Sequence, residues 1–133
     1  MRELSQTQEN NVFVALQGHG FISLTTFRKS GKAVVTPVRF ALESGKVYVS
    51  TGLKAGKVRR IRRNPRVQLA PCTIRGEVVG PTLEAMARIL SVDEEVLARN
   101  ALKQVVPSWR LFTFLQKLRG ASGVYLEIAP VKK

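Results

Sequence analysis

The chain has 133 residues, enough for one domain with a sizeable core, and 44% of them are hydrophobic, which excludes an intrinsically disordered chain. Its formal charge is +13, from 22 Lys and Arg against 9 Asp and Glu, so an anionic partner or ligand is expected. No apolar run approaches the roughly 20 residues of a membrane span, the N-terminal stretch lacks the apolar core of a signal peptide, and the single cysteine, Cys72, excludes an internal disulfide framework, so a cytoplasmic protein is expected.

The first segment, Ser5–Gln17, has the spacing of a short helix that buries Val12, Phe13 and Leu16. Ser5 can cap it and Gly18 can end it. Three β-segments follow: Gly20–Phe27, Ala33–Leu42 and Val47–Thr51. Gly-containing turns, "RKSGK" and "ESGK", separate them, which is the signature of an antiparallel meander. Pro37 sits inside the second segment and cannot donate to a β-ladder, so it belongs at an edge or a bulge. It is either a plain edge-blocking residue or part of an edge whose backbone groups stay free for a ligand.

The stretch "TGLKAGKVRRIRRNP", Thr51–Pro65, concentrates the charge. There is no acidic residue between Glu43 and Glu77. Leu53, Val58 and Ile61 have helical spacing, predicting a helix over 54–63 that ends at Asn64-Pro65. A helix that starts just after a strand offers unpaired N–H groups and a partial positive charge. Thr51 adds a hydroxyl, Gly52 and Gly56 permit close approach, and Lys54 and Lys57 add full charges. Together they suit a phosphate. The same basic run could instead track a nucleic-acid backbone, although it has no interleaved aromatics for stacking bases. Composition alone leaves both open.

A fourth β-segment, Arg66–Cys72, is followed by a loop or short hairpin, "TIRGEVVGP". Thr82–Leu90 is ambiguous, since its residues favour helix by propensity. Val92–Val106 has helical spacing, with Asp93 expected at its cap and acids in its first turn. Pro107–Gly120 is a further predicted helix, begun by proline and ended by glycine. In it Trp109, Phe112, Phe114 and Leu115 form a packing stripe suited to a core or dimer contact. Ser122–Val131 closes the chain as a strand, with Val124, Leu126 and Ile128 on one face and Tyr125 and Glu127 on the other.

No nucleophile–base set stands out. His19, between two glycines, reads as a turn residue. Cys72 reads as a small strand residue, with a place in a pocket wall as the alternative. Asp93, Glu94 and Glu95 read as helix-start acids. One His and one Cys are too few for a metal site.

Four pieces, "TTFRKSGKAVVTPV", "VYVSTGLKAGKV", "RRNPRVQLAPC" and "RGEVVGP", occur in an order and spacing that resembles the split-barrel flavin and deazaflavin oxidoreductases. These form the pyridoxamine-phosphate-oxidase-like superfamily, and the nearest likeness is to its F420-dependent members. The resemblance covers residues 12–91 and, more loosely, the last strand. It implies a mainly β (α+β) fold, a six-stranded antiparallel split β-barrel with flanking helices, in one domain over 1–133. It also assigns Thr82–Leu90 to a strand, against propensity. It implies a homodimer with two cofactors at the interface, either FMN or the deazaflavin F420. The strand residues Thr36, Pro37, Val38 and Arg39 would lie along the ring. Ser50, Thr51, Gly52, Lys54, Gly56 and Lys57, with Arg60, would hold the ribityl chain and phosphate. Ala70, Pro71 and Cys72 would belong to the wall contributed by the partner. The implied chemistry is hydride transfer to or from a small organic substrate, performed by the cofactor and demanding no catalytic side chain. The surplus arginines would suit the carboxylate tail of F420. A carrier that binds such a cofactor without turnover, and a nucleic-acid-binding protein, are the competing expectations.

Overall fold

A computed structural model describes residues 13–52, 55–105 and 123–131. Its elements are β1 (Phe21–Phe27), β2 (Ala33–Arg39), β3 (Ala41–Glu43), β4 (Lys46–Gly52), α1 (Gly56–Arg63), β5 (Arg66–Cys72), β6 (Leu83–Ile89), α2 (Glu95–Val105) and β7 (Gly123–Pro130). Two short 3₁₀ turns, Val14–Leu16 and Val92–Glu94, complete the set. No described helix is long and apolar enough to cross a membrane.

The strands form one antiparallel sheet in the order β2-β1-β5-β6-β7-β4-β3. Its two edges, β2 and β3, are halves of one chain segment parted only by Phe40. The sheet therefore curls back on itself. This explains the one departure in strand count. The segment 33–42 was expected as a single strand, giving six; it divides, giving seven. β2 pairs with β1, while β3 pairs with β4 at the other side of the sheet. One straight strand cannot reach both, and the bend falls at the buried Phe40.

Alternation along the strands fills the curl. Ile22 and Leu24 from β1, Val47 and Val49 from β4, Val67 and Leu69 from β5, Ala85 and Ala87 from β6, and Leu126 and Ile128 from β7 share one buried cluster. Phe13 and Leu16 close one end of it, and Ile61 of α1 joins it. A second cluster lies on the outer face, where Ala98, Ala101 and Leu102 of α2 cover Ala41, Tyr48 and Leu90. There the Tyr48 hydroxyl donates to Glu127 Oε2 at 3.0 Å, and burial together with that carboxylate pushes its pKa up to about 12.

Several element boundaries differ from expectation. The strand that the resemblance implied over Thr82–Leu90 is present as β6, against the segment's helical propensity: it pairs on both sides, with β5 and β7, and its Ala85 and Ala87 face the core. Residues 5–12 of the expected first helix lie outside the described residues, and the described part holds a 3₁₀ turn that ends before Gly18, whose φ is +81°. The helix expected over 54–63 begins at Gly56, because Ala55 is extended and serves as its N-cap. Ser91, not Asp93, caps the turn leading into α2. Its hydroxyl and amide both meet the Glu94 carboxylate in a capping box, a pairing that Asp93 cannot make from inside the turn. The expected helix Pro107–Gly120 and its aromatic stripe lie outside the described residues, as does Lys54.

Candidate functional site

β1 and β4 run in the same direction, so Thr26 and Thr51 emerge at the same end of the curled sheet. On β1 the inward alternation Ile22, Leu24, Thr26 places a polar residue at a core position, and Thr26 is 1% exposed. Thr51 is its counterpart on β4, after Val47 and Val49. α1 lies across this end. It is held by Val58 and Ile61, both buried, and each threonine receives a cation from it. Arg60 Nε donates to Thr26 Oγ1 at 2.6 Å, and Lys57 Nζ makes a longer contact of 3.5 Å with Thr51 Oγ1. A threonine oxygen that accepts from a cation keeps its own hydrogen to donate elsewhere.

The electrostatics of this corner are one-sided. Burial, and then the neighbouring Arg60, lower the Lys57 pKa below the ordinary lysine value. Burial, followed by Arg28, Arg59 and Arg63, lowers that of Arg60. Among the described residues no carboxylate comes within salt-bridge distance of Lys57 or Arg60. Gly56 at the first helical position leaves room for the Arg60 side chain to lie against it. A Cβ there would stand 2.7 Å from Arg60 Nη1, so the missing side chain is the space the guanidinium occupies. The corner thus offers ammonium, guanidinium, hydroxyl and helix N–H donors together. That donor set fits an anion such as a phosphate, and it does not fit a metal ion.

The expected residues divide into those that meet here and those that do not. Thr51, Gly52, Gly56, Lys57 and Arg60 converge at this end. Ser50 is next to Thr51 on β4, but strand alternation turns it to the opposite face, paired with Tyr125. Thr36, Pro37, Val38 and Arg39 lie on β2, an edge strand, which accounts for a proline within it. β2 begins beside Thr26, opposite Val34, and runs away from α1 until Arg39 stands opposite Phe21. That is five residues, roughly 17 Å, along the strand. Val38 packs against the core, and the Arg39 guanidinium carbon lies 4.7 Å over the Phe21 ring. Pro71 and Cys72 sit at that same far end, opposite Ile22 and Phe21. Both are buried beneath the 73–80 hairpin, where Val79 N–H donates to the Pro71 carbonyl. Burial pushes the Cys72 thiol pKa up.

Sequence reasoning missed Thr26, Arg28, Arg59 and Arg63. Thr26 carries a signal, a polar residue on the apolar phase of a strand. Arg28 carries none, since its approach to α1 depends on the chain's path around the barrel end.

Comparison with known proteins follows this geometry. A family model described as pyridoxamine 5'-phosphate oxidase matches residues 8–120. No curated protein matches the chain. Among solved structures, the conserved hypothetical protein Rv2991 of Mycobacterium tuberculosis is similar with a TM-score of 0.65 at 19% identity, covering 93% of this chain and 81% of that one. The heme storage protein HutZ of Vibrio cholerae is similar with a TM-score of 0.61 at 18% identity, covering 94% and 91%. An FAD-binding protein of Mesorhizobium loti has a TM-score of 0.60 at 17% identity, covering 99% and 90%.

Proposed function

The chain belongs to the pyridoxamine 5'-phosphate oxidase family, and from that premise we propose that it is an oxidoreductase that holds F420 or FMN and uses it for hydride transfer to or from a small organic substrate. The observation that carries the proposal is the donor-only corner where Lys57 and Arg60 of α1 meet Thr51 and Thr26. A flavin or deazaflavin phosphate fits it by charge and by donor count. When bound, the cofactor supplies the hydride chemistry. The chain's own residues bind and orient it. Lys57, Arg60, Thr51 and the α1 N–H groups anchor the phosphate, with Gly52 and Gly56 allowing close approach. β2, which starts beside that anchor and leads away from it, offers Thr36–Arg39 as the rail for the ring. Lys54, which lies outside the described residues, belongs to the same proposed anchor through the resemblance.

The second wall of the pocket is assigned to a second copy of the chain. Supporting this, Val35 on the outer face of β2 is 55% exposed and Val78 and Val79 on the adjoining hairpin are 55% and 52% exposed. The hairpin leans on β2, since a Cβ at Gly76 would lie 3.7 Å from Pro37 Cγ. Clustered exposed valines at a sheet edge mark a contact surface. A cytoplasmic site of action suits a chain with one buried, unpaired cysteine.

The test is a fluorescence titration of the purified protein with FMN and with F420, followed by reduction of an acceptor by the loaded enzyme. Lys57→Ala removes a charge-assisted contact, and affinity should fall about tenfold or more while the circular dichroism spectrum is kept. Unchanged affinity would show that the phosphate is misplaced. A second reading, a carrier or store that binds the cofactor without turnover, is favoured by the likeness to a heme storage protein. Tight binding with no reduction of any acceptor would select it.

A further inference from the structure

A cavity of about 240 Å³ lies at the end of β2 farthest from α1, between the turn over 17–20 and the end of α2 at Val105. Its walls divide by chemistry. Leu16, Phe40, Leu42 and Val105 give an apolar side. Leu16 and Phe40 belong to the barrel core and Leu42 packs against it, so that side is firm. Gln17, His19 and Arg39 give a polar side, and among the described residues no carboxylate lines it.

The polar side is held in place. The His19 N–H donates to the Leu16 carbonyl at 3.2 Å, which fixes the turn beside the cavity. The Arg39 guanidinium carbon lies 4.7 Å over the Phe21 ring. A guanidinium stacked by its face keeps its N–H edge for a further acceptor. Among the described residues Arg39 has no carboxylate within salt-bridge distance.

Size and charge restrict the occupant. An apolar cavity of roughly 150 Å³ takes benzene, so this one suits a body of about ten non-hydrogen atoms. Arg39 is the one permanent cation in the lining, which matches a monoanion such as a carboxylate. A phosphate is better matched at α1, where Lys57 and Arg60 stand together. β2 connects the two places. The proposed rail for the ring, Thr36–Arg39, ends at Arg39, whose side chain lines the cavity. A cofactor anchored at Lys57 and laid along that rail brings its ring to the cavity.

We infer that this cavity seats the substrate, and that the substrate is a small apolar carboxylic acid, with its carboxylate on Arg39 and its apolar body against Phe40, Leu42 and Val105. This rests on the proposed place of the ring along β2.

Phenylacetate, phenylacetamide and acetate, titrated by calorimetry at fixed ionic strength into the apo-protein, test the seat. Phenylacetate should bind about three- to tenfold tighter than the uncharged phenylacetamide, the range of one partly exposed charge-assisted contact. Acetate, which lacks the apolar body, should bind more weakly than phenylacetate. Arg39→Gln, at an exposed position, should remove the preference for acid over amide, and Arg39→Lys should keep part of it. In the FMN-loaded or F420-loaded protein, phenylacetate should shift the cofactor's absorption spectrum. Equal affinity for acid and amide would overturn the inference, as would a preference that survives Arg39→Gln. A cofactor spectrum unchanged at saturating phenylacetate would overturn the placement beside the ring. Failure to bind FMN or F420 at all would instead sink the cofactor reading, a separate failure, because the acid preference is measured on the apo-protein.

Discussion

Lys57 is a partly buried cation with a hydroxyl and an arginine for neighbours and no carboxylate among the described residues. Its folded pKa lies below the ordinary lysine value, so the folded apo-protein releases this proton before the unfolded chain does. The stability of the apo-protein should therefore rise with pH between that lowered value and 10.5, because there the unfolded state binds more protons. Phosphate binding favours the charged form, so affinity should fall as pH rises through the Lys57 titration, starting below the usual lysine range. Lys57→Arg, which stays charged, should lack the fall. Titrations of FMN across pH check the slope, and a flat profile in the native protein contradicts it. Gly56 provides an orthogonal test. Gly56→Ala should keep or slightly raise the melting temperature, since alanine gains roughly 0.5–1 kcal/mol over glycine in a helix. The same Cβ displaces the Arg60 guanidinium, so anion affinity should drop about three- to tenfold, within the range of one weakened charge-assisted contact. Equal affinity in both proteins would mean that Arg60 does not contribute.

The elements show what a sequence carries and what it withholds. The strands read from the residues alone are present, because period-two alternation and Gly turns are local signals, whereas β6 was expected only through the family resemblance. The break at Phe40 was not legible, since it follows from which strands β2 and β3 pair with, and pairing is long-range. The Ser91 cap was hidden by an equally plausible Asp93 two residues on. The corner of Thr51, Gly56 and Lys57 was legible because a strand, a glycine turn and a basic helix are consecutive. The Arg60–Thr26 link joins residues 34 apart and needed the fold. The 73–80 hairpin makes a further prediction. Its turn bonds run from Thr73 N–H to the Glu77 carbonyl at 2.9 Å and from Gly76 N–H to the Thr73 carbonyl at 2.9 Å. At its end, a Cβ on Gly80 would sit 2.5 Å from Pro71 Cγ and 3.2 Å from Cδ. A proline ring cannot swing aside, so Gly80→Ala should lower stability by about 1–3 kcal/mol. Urea unfolding measures it, and an unshifted midpoint would contradict the packing of this hairpin on β5.

At the scale of the molecule, Arg28 and the basic residues Lys57, Arg59, Arg60 and Arg63 of α1 gather at one end of the curled sheet, and among the described residues none of them has a carboxylate within salt-bridge distance. The exposed valines lie on β2, the proposed rail for the ring, and on the hairpin beside it, so in this reading self-association completes the cofactor pocket. Light scattering should give about twice the chain's 14.7 kDa. Val35→Glu combined with Val79→Glu should shift the protein to the monomer, leaving the Lys57 corner folded. A native protein that is monomeric at micromolar concentration while binding its cofactor tightly would argue against a shared pocket. The most direct test of the whole account is a crystal structure of the FMN-loaded or F420-loaded protein. The phosphorus atom should lie within hydrogen-bonding reach of Lys57 Nζ and the first N–H groups of α1. A cofactor whose phosphate binds anywhere else, with that corner holding only solvent, would contradict it.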